Sequence, residues 1–213
     1  MQNGVFQTGN PRWSAVFSLF MGVMALIAAE FIPVSLLTPI ARDLAVTEGM
    51  AGQTVTAVGV FAVLTSLLLA PLTGNIDRRR ILLAFSAMLA ASYMLIGIAP
   101  TYPIMLIGRA MLGIWSLASA VTLQLVPTKD VPRALSIVYA GGSVATIIAL
   151  PVASWIGHLI GWRNVFFLGA LMAAFGFVWQ YRALPSLPAR AGSGFRDMSA
   201  LLRRTWILAG IGG

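Results

Sequence analysis

Gly74-Asn75-Ile76-Asp77-Arg78-Arg79-Arg80 separates two apolar runs, Val55 to Leu72 and Ile81 to Ala99. Each run approaches the roughly 20 residues that carry a helix across a bilayer. A short acid-plus-arginine turn between two such runs reads as a loop at the membrane surface, and its charges fix the side it faces. Composition agrees: 59% of residues are hydrophobic and 9% charged, with a mean hydropathy of +0.89. A soluble domain carries about 25% charged residues, so this chain has too little charge to cover a water-facing surface. The expected fold is an all-α, multi-pass membrane protein.

The net charge of +8 invites a nucleic-acid reading. The arginines, however, stand singly or in short clusters between apolar spans, which is the pattern of topology signals rather than of a phosphate-binding face. There is no cysteine, which excludes a disulfide framework, thiol chemistry and cysteine metal sites. No metal-ligand cluster, no nucleophile–base arrangement and no phosphate-binding glycine loop with its lysine stands out. Neither an enzyme nor an ATP-driven pump is expected. The first apolar run follows Pro11-Arg12-Trp13 and continues well past the apolar core of a signal peptide, so it reads as a span.

Six spans are expected over roughly 14–38, 51–72, 81–99, 103–126, 134–157 and 164–182. They form a six-helix bundle over 1–182, followed by a polar linker over 183–205 with Pro185, Pro188, Gly192 and Gly194. A seventh run starts at Trp206, and its eight residues to Gly213 rise only about 12 Å. With the N-terminus in the cytosol, eleven of the fourteen basic residues fall on the cytosolic side. Arg42 and Arg163 lie outside, and Arg109 lies within the fourth span. That bias sets the orientation.

Spans one to three and four to six read as one unit used twice in opposite orientation, a 3+3 inverted repeat. Small residues recur every fourth position in span two, at Ala62, Ser66, Ala70 and Gly74. Span five repeats the pattern at Gly141, Ala145, Ala149, Ala153, Gly157 and Gly161. Such stripes let another helix backbone approach closely. Two readings stay open: packing within the six-helix unit, or contact with a second bundle.

With these residues in view, the chain resembles the N-terminal half of a major facilitator superfamily transporter of the drug:proton antiporter branch. Gly74 to Arg80 is similar to that family's loop between its second and third helices, with shortened spacing and the second glycine lost. Ile107-Gly108-Arg109-Ala110-Met111-Leu112-Gly113 resembles its fourth-helix motif. Pro151, within Ala149-Leu150-Pro151-Val152-Ala153-Ser154, resembles what is left of its fifth-helix motif, and Gly161-Trp162-Arg163-Asn164-Val165-Phe166 its sixth-helix opening. Trp13 to Phe17, Glu30 to Pro39 and Leu184 to Pro188 are similar to bacterial purine ribonucleoside efflux pumps. In those pumps a glycine-rich stretch separates the counterparts of Gly113 and Trp115, where only Ile114 stands here. Losing about five residues turns the rest of a helix by about 140°, which takes Ser116, Ser119, Thr122 and Gln124 off the expected face.

The resemblance implies a proton-coupled secondary transporter of the bacterial inner membrane that exports purine nucleosides by alternating access. It implies no cofactor beyond the proton gradient. Its partners would be the lipid bilayer, the substrate, protons and a C-terminal six-helix bundle. The alternatives are a broader drug or sugar exporter of the same branch, or a non-transporting fragment that needs a second bundle.

Glu30 lies about 16 residues into span one, near 24 Å from its cytosolic end. A carboxylate at that depth costs several kcal/mol unless it is neutral, paired or hydrated, so it is the first candidate for proton coupling. Arg109, about 8 Å into span four from the outer face, stands at a similar level and is its expected partner. Asp77 and Arg78, with Gly74, are expected by the resemblance to form a conformational clamp. Arg79 and Arg80 read as topology signals. Pro33 and Pro151 free backbone carbonyls and are expected to provide gating flexibility. Trp115, Tyr139 and Trp155 are the aromatic candidates for stacking on a purine. His158 reads as an ordinary interfacial residue.

Overall fold

The computed structural model describes residues 13–72, 77–112 and 130–185, apart from the side chains of 65–72 and of Arg78. Every regular element among them is helical. They are α1 (Trp13–Ser35), α2 (Leu37–Asp43), α3 (Glu48–Leu72), α4 (Arg78–Ile98), α5 (Tyr102–Leu112), α6 (Val131–Val144), a π-helical turn (Ala145–Ala149), α7 (Leu150–Ile160) and α8 (Trp162–Ala183). Gly74, Trp115, the shortened stretch after Gly113, the linker beyond Pro185 and the run from Trp206 lie outside the described residues.

The first expected span is two helices, because prolines interrupt it from both sides. Pro33 lies inside α1 and Pro39 offers no amide to the carbonyl of Ser35, so the chain steps at Leu36 before resuming. The step is tied by Leu36 N–H to Pro33 O at 3.3 Å and by Ile40 N–H to Leu36 O at 3.0 Å. In span five the irregularity comes just before Pro151. The wide turn at Ala145–Ala149 takes up the register that the missing proline amide breaks.

Four helical stretches are long and apolar enough to cross a membrane: Trp13–Ser35, Arg79–Ile98, Val131–Ile160 and Trp162–Ala183. Glu48–Leu64 and Tyr102–Leu112 are shorter apolar helices within the described residues.

The most extensive contact joins α4 to α8, followed by α1 with α6 and with α8. Polar side chains hold this core as well as apolar ones. Ser86 Oγ donates to Gln180 Oε1 at 2.6 Å, and Gln180 Nε2 donates to the Ser18 carbonyl at 3.2 Å, so one buried amide joins α4, α8 and α1. Such bonds act as interhelical glue where lipid gives no hydrophobic drive, at about 1 kcal/mol each.

The span-five stripe packs inside this unit. Ala145 and Ala153 are buried, and a Cβ at Gly141 would lie 2.5 Å from the Phe20 carbonyl oxygen. Of the two readings open in the sequence, the structure therefore selects contact with α1 for span five. The opposite face of that span is apolar and open, with Tyr139, Ile147, Ile148 and Trp155 exposed. In span two, Gly52 and Gly59 have open space where a Cβ would go, and Val60, Val63 and Leu64 are exposed.

Candidate functional site

Arg109 is fully buried, the largest side chain to be so among the described residues. The short helix α5 carries it between α1 and α3. A buried guanidinium has to find acceptors for its fork of N–H donors. Here the acceptors are backbone carbonyls: Nη1 donates to Ala29 O, Nη2 to Glu30 O at 3.1 Å and Nε to Thr54 O at 3.3 Å. Two neighbouring polar groups complete the region. Tyr93 Oη, fully buried on α4, donates to Ala25 O at 2.7 Å, and Ser92 Oγ donates to Gly108 O at 2.6 Å. Sequence reasoning missed Tyr93 and Ser92. Both sit in an apolar run, and their only signal was polarity within a span.

Glu30 is half-buried, on the turn of α1 that Arg109 grips. The arginine holds its carbonyl oxygen rather than its carboxylate, and no ion pair within 4 Å joins the two side chains. Thus the two residues paired by sequence depth are neighbours, connected through the α1 backbone.

Two further arginines pin the α4–α8 pair at its ends. Arg79, the second residue of α4, donates to Tyr181 O near the end of α8 at 2.7 Å and lies over the Tyr181 ring at 5.3 Å. Arg163, the second residue of α8, donates to Ala99 O at the C-cap of α4 at 2.8 Å. It also pairs with Asp43 and lies 4.4 Å over the Trp162 ring. Trp162 Nε1 adds a bond to Asp43 Oδ2 at 3.1 Å. At both ends an arginine in the first turn of one helix reaches a backbone carbonyl at the end of the other. Arg79 therefore has a packing role beyond topology, and the Asp43 cluster is a feature that sequence reasoning did not assemble. Asp77 caps α4 itself, accepting the Arg79 amide at 2.8 Å. Arg78 opens α4.

Pro33 and Pro151 both stand at helix irregularities. Tyr139 and Trp155 lie on the open face of span five, 57% and 65% exposed. A cleft of about 800 Å³ opens at the α1–α2 step, lined by Ser35, Thr38, Arg42, Asp43, His158 and Trp162 among others; Glu30 and Arg109 do not line it. No group of three or more metal-ligating side chains occurs among the described residues.

A family profile described as Major Facilitator Superfamily matches residues 14–213. The chain belongs to that superfamily. It is 41% identical over 206 residues to the purine ribonucleoside efflux pump NepI of Salmonella typhi, covering 94% of this chain and 52% of that protein. The same figures hold for the pump of that name from Salmonella typhimurium. The chain spans about half the length of the curated relatives it matches. Among solved structures, a mutant of the peptide transporter POT aligns with a TM-score of 0.71 at 14% identity, over 99% of this chain and 47% of that one. The human organic anion transporter MFSD10 aligns at 0.64 and 21% identity, over 89% and 53%. At these identities the likeness is one of fold. This superfamily chain is a multi-pass protein of a bacterial membrane, similar over nearly its whole length to about half of an efflux pump.

Proposed function

We propose that the chain is the N-terminal six-span half of a proton-coupled carrier that exports purine nucleosides by alternating access. The observation that carries this reading is the 41% identity, over nearly the whole chain, to relatives named as purine ribonucleoside efflux pumps. The helices α1–α2, α3, α4, the one that α5 begins, α6–α7 and α8 would be the six spans, with residues 1–182 as the bundle, 183–205 as a cytosolic linker and 206–213 as the start of a seventh. The N-terminus would lie in the cytosol and the membrane would be the inner one.

In this reading Glu30 exchanges the coupled proton, beside a fixed positive charge on Arg109. A half-buried carboxylate next to a buried guanidinium has the chemistry for the role: each can compensate the other when a proton or substrate arrives. Gly74, Asp77 and Arg78 would form the cytosolic clamp, steadying one conformation through a helix terminus. Pro33 and Pro151 would supply the flexible points. Tyr139 and Trp155, with Trp115, would offer faces on which a purine stacks. The open apolar face of span five supports a second bundle beyond it.

The half-length match favours one further reading: the chain transports nothing until a second six-helix bundle joins it. Flux in proteoliposomes tests both. The complete reading frame containing residues 1–213 is expected to move radiolabelled purine nucleoside against its gradient when a pH gradient is imposed. Residues 1–213 alone are expected to move none. Competition by drugs or sugars in place of nucleosides would assign the carrier to the broader exporters instead.

A further inference from the structure

Each carbonyl inside an α-helix is normally taken by the amide four residues on. Four residues after Ala29 stands Pro33, which has no amide to give. The Ala29 oxygen is taken instead by Arg109 Nη1, the Glu30 oxygen receives Nη2 at 3.1 Å, and Nε is held by Thr54 O at 3.3 Å. Three nitrogens of a rigid fork are thus committed to backbone. The side chain that stays uncommitted is the Glu30 carboxylate. It is half-buried and makes no hydrogen bond or ion pair with another described residue.

We propose that Pro33 is a positioning residue: by withholding an amide from the Ala29 carbonyl it supplies the acceptor that fixes Arg109 on the α1 backbone, and so keeps the Glu30 carboxylate unpaired. The fork has few other places to go. An amide at position 33 would draw the Ala29 carbonyl parallel to the α1 axis and away from α5. The Glu30 and Thr54 carbonyls have Val34 and Val58 four residues on to offer them amides, so Ala29 O is the one acceptor of the three that the fork does not share, and an amide at 33 would make Nη1 compete for it. Nη1 would then turn to the nearest anion, and the carboxylate one residue along α1 is the group of opposite charge beside it. The role rests on the coupling function proposed for Glu30 only for its consequence; the geometry stands without it.

Pro33→Ala restores an amide, and it also removes the ring. Incorporating the α-hydroxy analogue of alanine at position 33 removes the ring but leaves an ester, which has no N–H. The readout is labelling of Glu30 by dicyclohexylcarbodiimide, a probe of unpaired carboxyl groups in apolar surroundings, followed by mass spectrometry of the chain in native membranes. Pro33→Ala is expected to slow labelling by about fivefold, the ratio that an ion pair of about 1 kcal/mol imposes. The ester variant is expected to label like the parent. In an Arg109→Gln background, Pro33→Ala is expected to change nothing.

Equal labelling in the Ala and ester variants, or a Pro33→Ala chain that labels like the parent, overturns the proposal. If Pro33→Ala fails to fold, Pro33→Gly restores the same amide and is read by the same labelling, slower labelling supporting the proposal and unchanged labelling overturning it. If the ester variant fails as well, the ring matters and the proposal falls. Labelling requires no transport, so this test and the test of nucleoside export fail independently.

Discussion

Gly141 and Gly142 are adjacent on α6, and replacing each by alanine should move stability in different directions. A Cβ at Gly141 would stand 2.5 Å from the Phe20 carbonyl oxygen and 3.3 Å from the Met24 amide, both backbone atoms of α1. A comfortable carbon–oxygen contact is about 3.3 Å or more, so α6 would have to retreat by about 0.8 Å. A Cβ at Gly142 meets Ile27 Cγ1 at 3.5 Å, an ordinary contact with a side chain that can adjust. Both substitutions gain the same helix propensity, about 0.8–1.0 kcal/mol, so it cancels between them. What remains is the overpacking term at 141, about 1–3 kcal/mol. Gly142→Ala should therefore be neutral or stabilising, and Gly141→Ala should fall below it by about that amount. Unfolding the purified chain by sodium dodecyl sulfate in mixed micelles, followed by tryptophan fluorescence, measures the difference. If Gly141→Ala proves as stable as Gly142→Ala, the small-residue stripe of span five does not lie on α1.

Gly161 joins α7 to α8 at φ 88°, ψ 152°, a region that side chains resist. Gly161→Ala should cost about 1–3 kcal/mol in the same unfolding assay. Asp77→Ala removes the cap of α4 and should cost about 1 kcal/mol, while Asp77→Ser keeps most of it; thermal unfolding in detergent distinguishes them. Arg163→Ala loses the Asp43 pair and the bond to Ala99 O. With both partners partly exposed, the loss should be about 1–2 kcal/mol. The ion-pair share should shrink in 1 M salt, where screening reaches about 3 Å; a melting series against salt checks it.

The helices were legible because apolar length and loop charge are written residue by residue. The runs flanking Gly74 to Arg80 became α3 and α4, although α3 begins at Glu48, well ahead of Val55. Pro33 announced an irregularity, but not that it would combine with Pro39 to divide span one at Leu36. That division depends on where two missing amides fall along one helix. Helical rise was enough to bring Glu30 and Arg109 to one level. It could not tell carboxylate from carbonyl, because rise fixes depth while the rotation of α1 chooses the atom that faces α5. Asp43, Ala99 and Arg163 are far apart in the chain, and only the docking of α4 on α8 assembles them. Arg79 looked like one charge in a basic cluster, since nothing local reveals that the Tyr181 carbonyl lies within its reach.

Proton coupling through Glu30 is the central claim, and the most direct measurement is nucleoside flux by the complete carrier with Glu30→Gln. In proteoliposomes the variant should still exchange labelled for unlabelled purine nucleoside across the membrane. It should no longer accumulate nucleoside when a pH gradient is applied. Accumulation driven by that gradient at the parent's level would contradict the account.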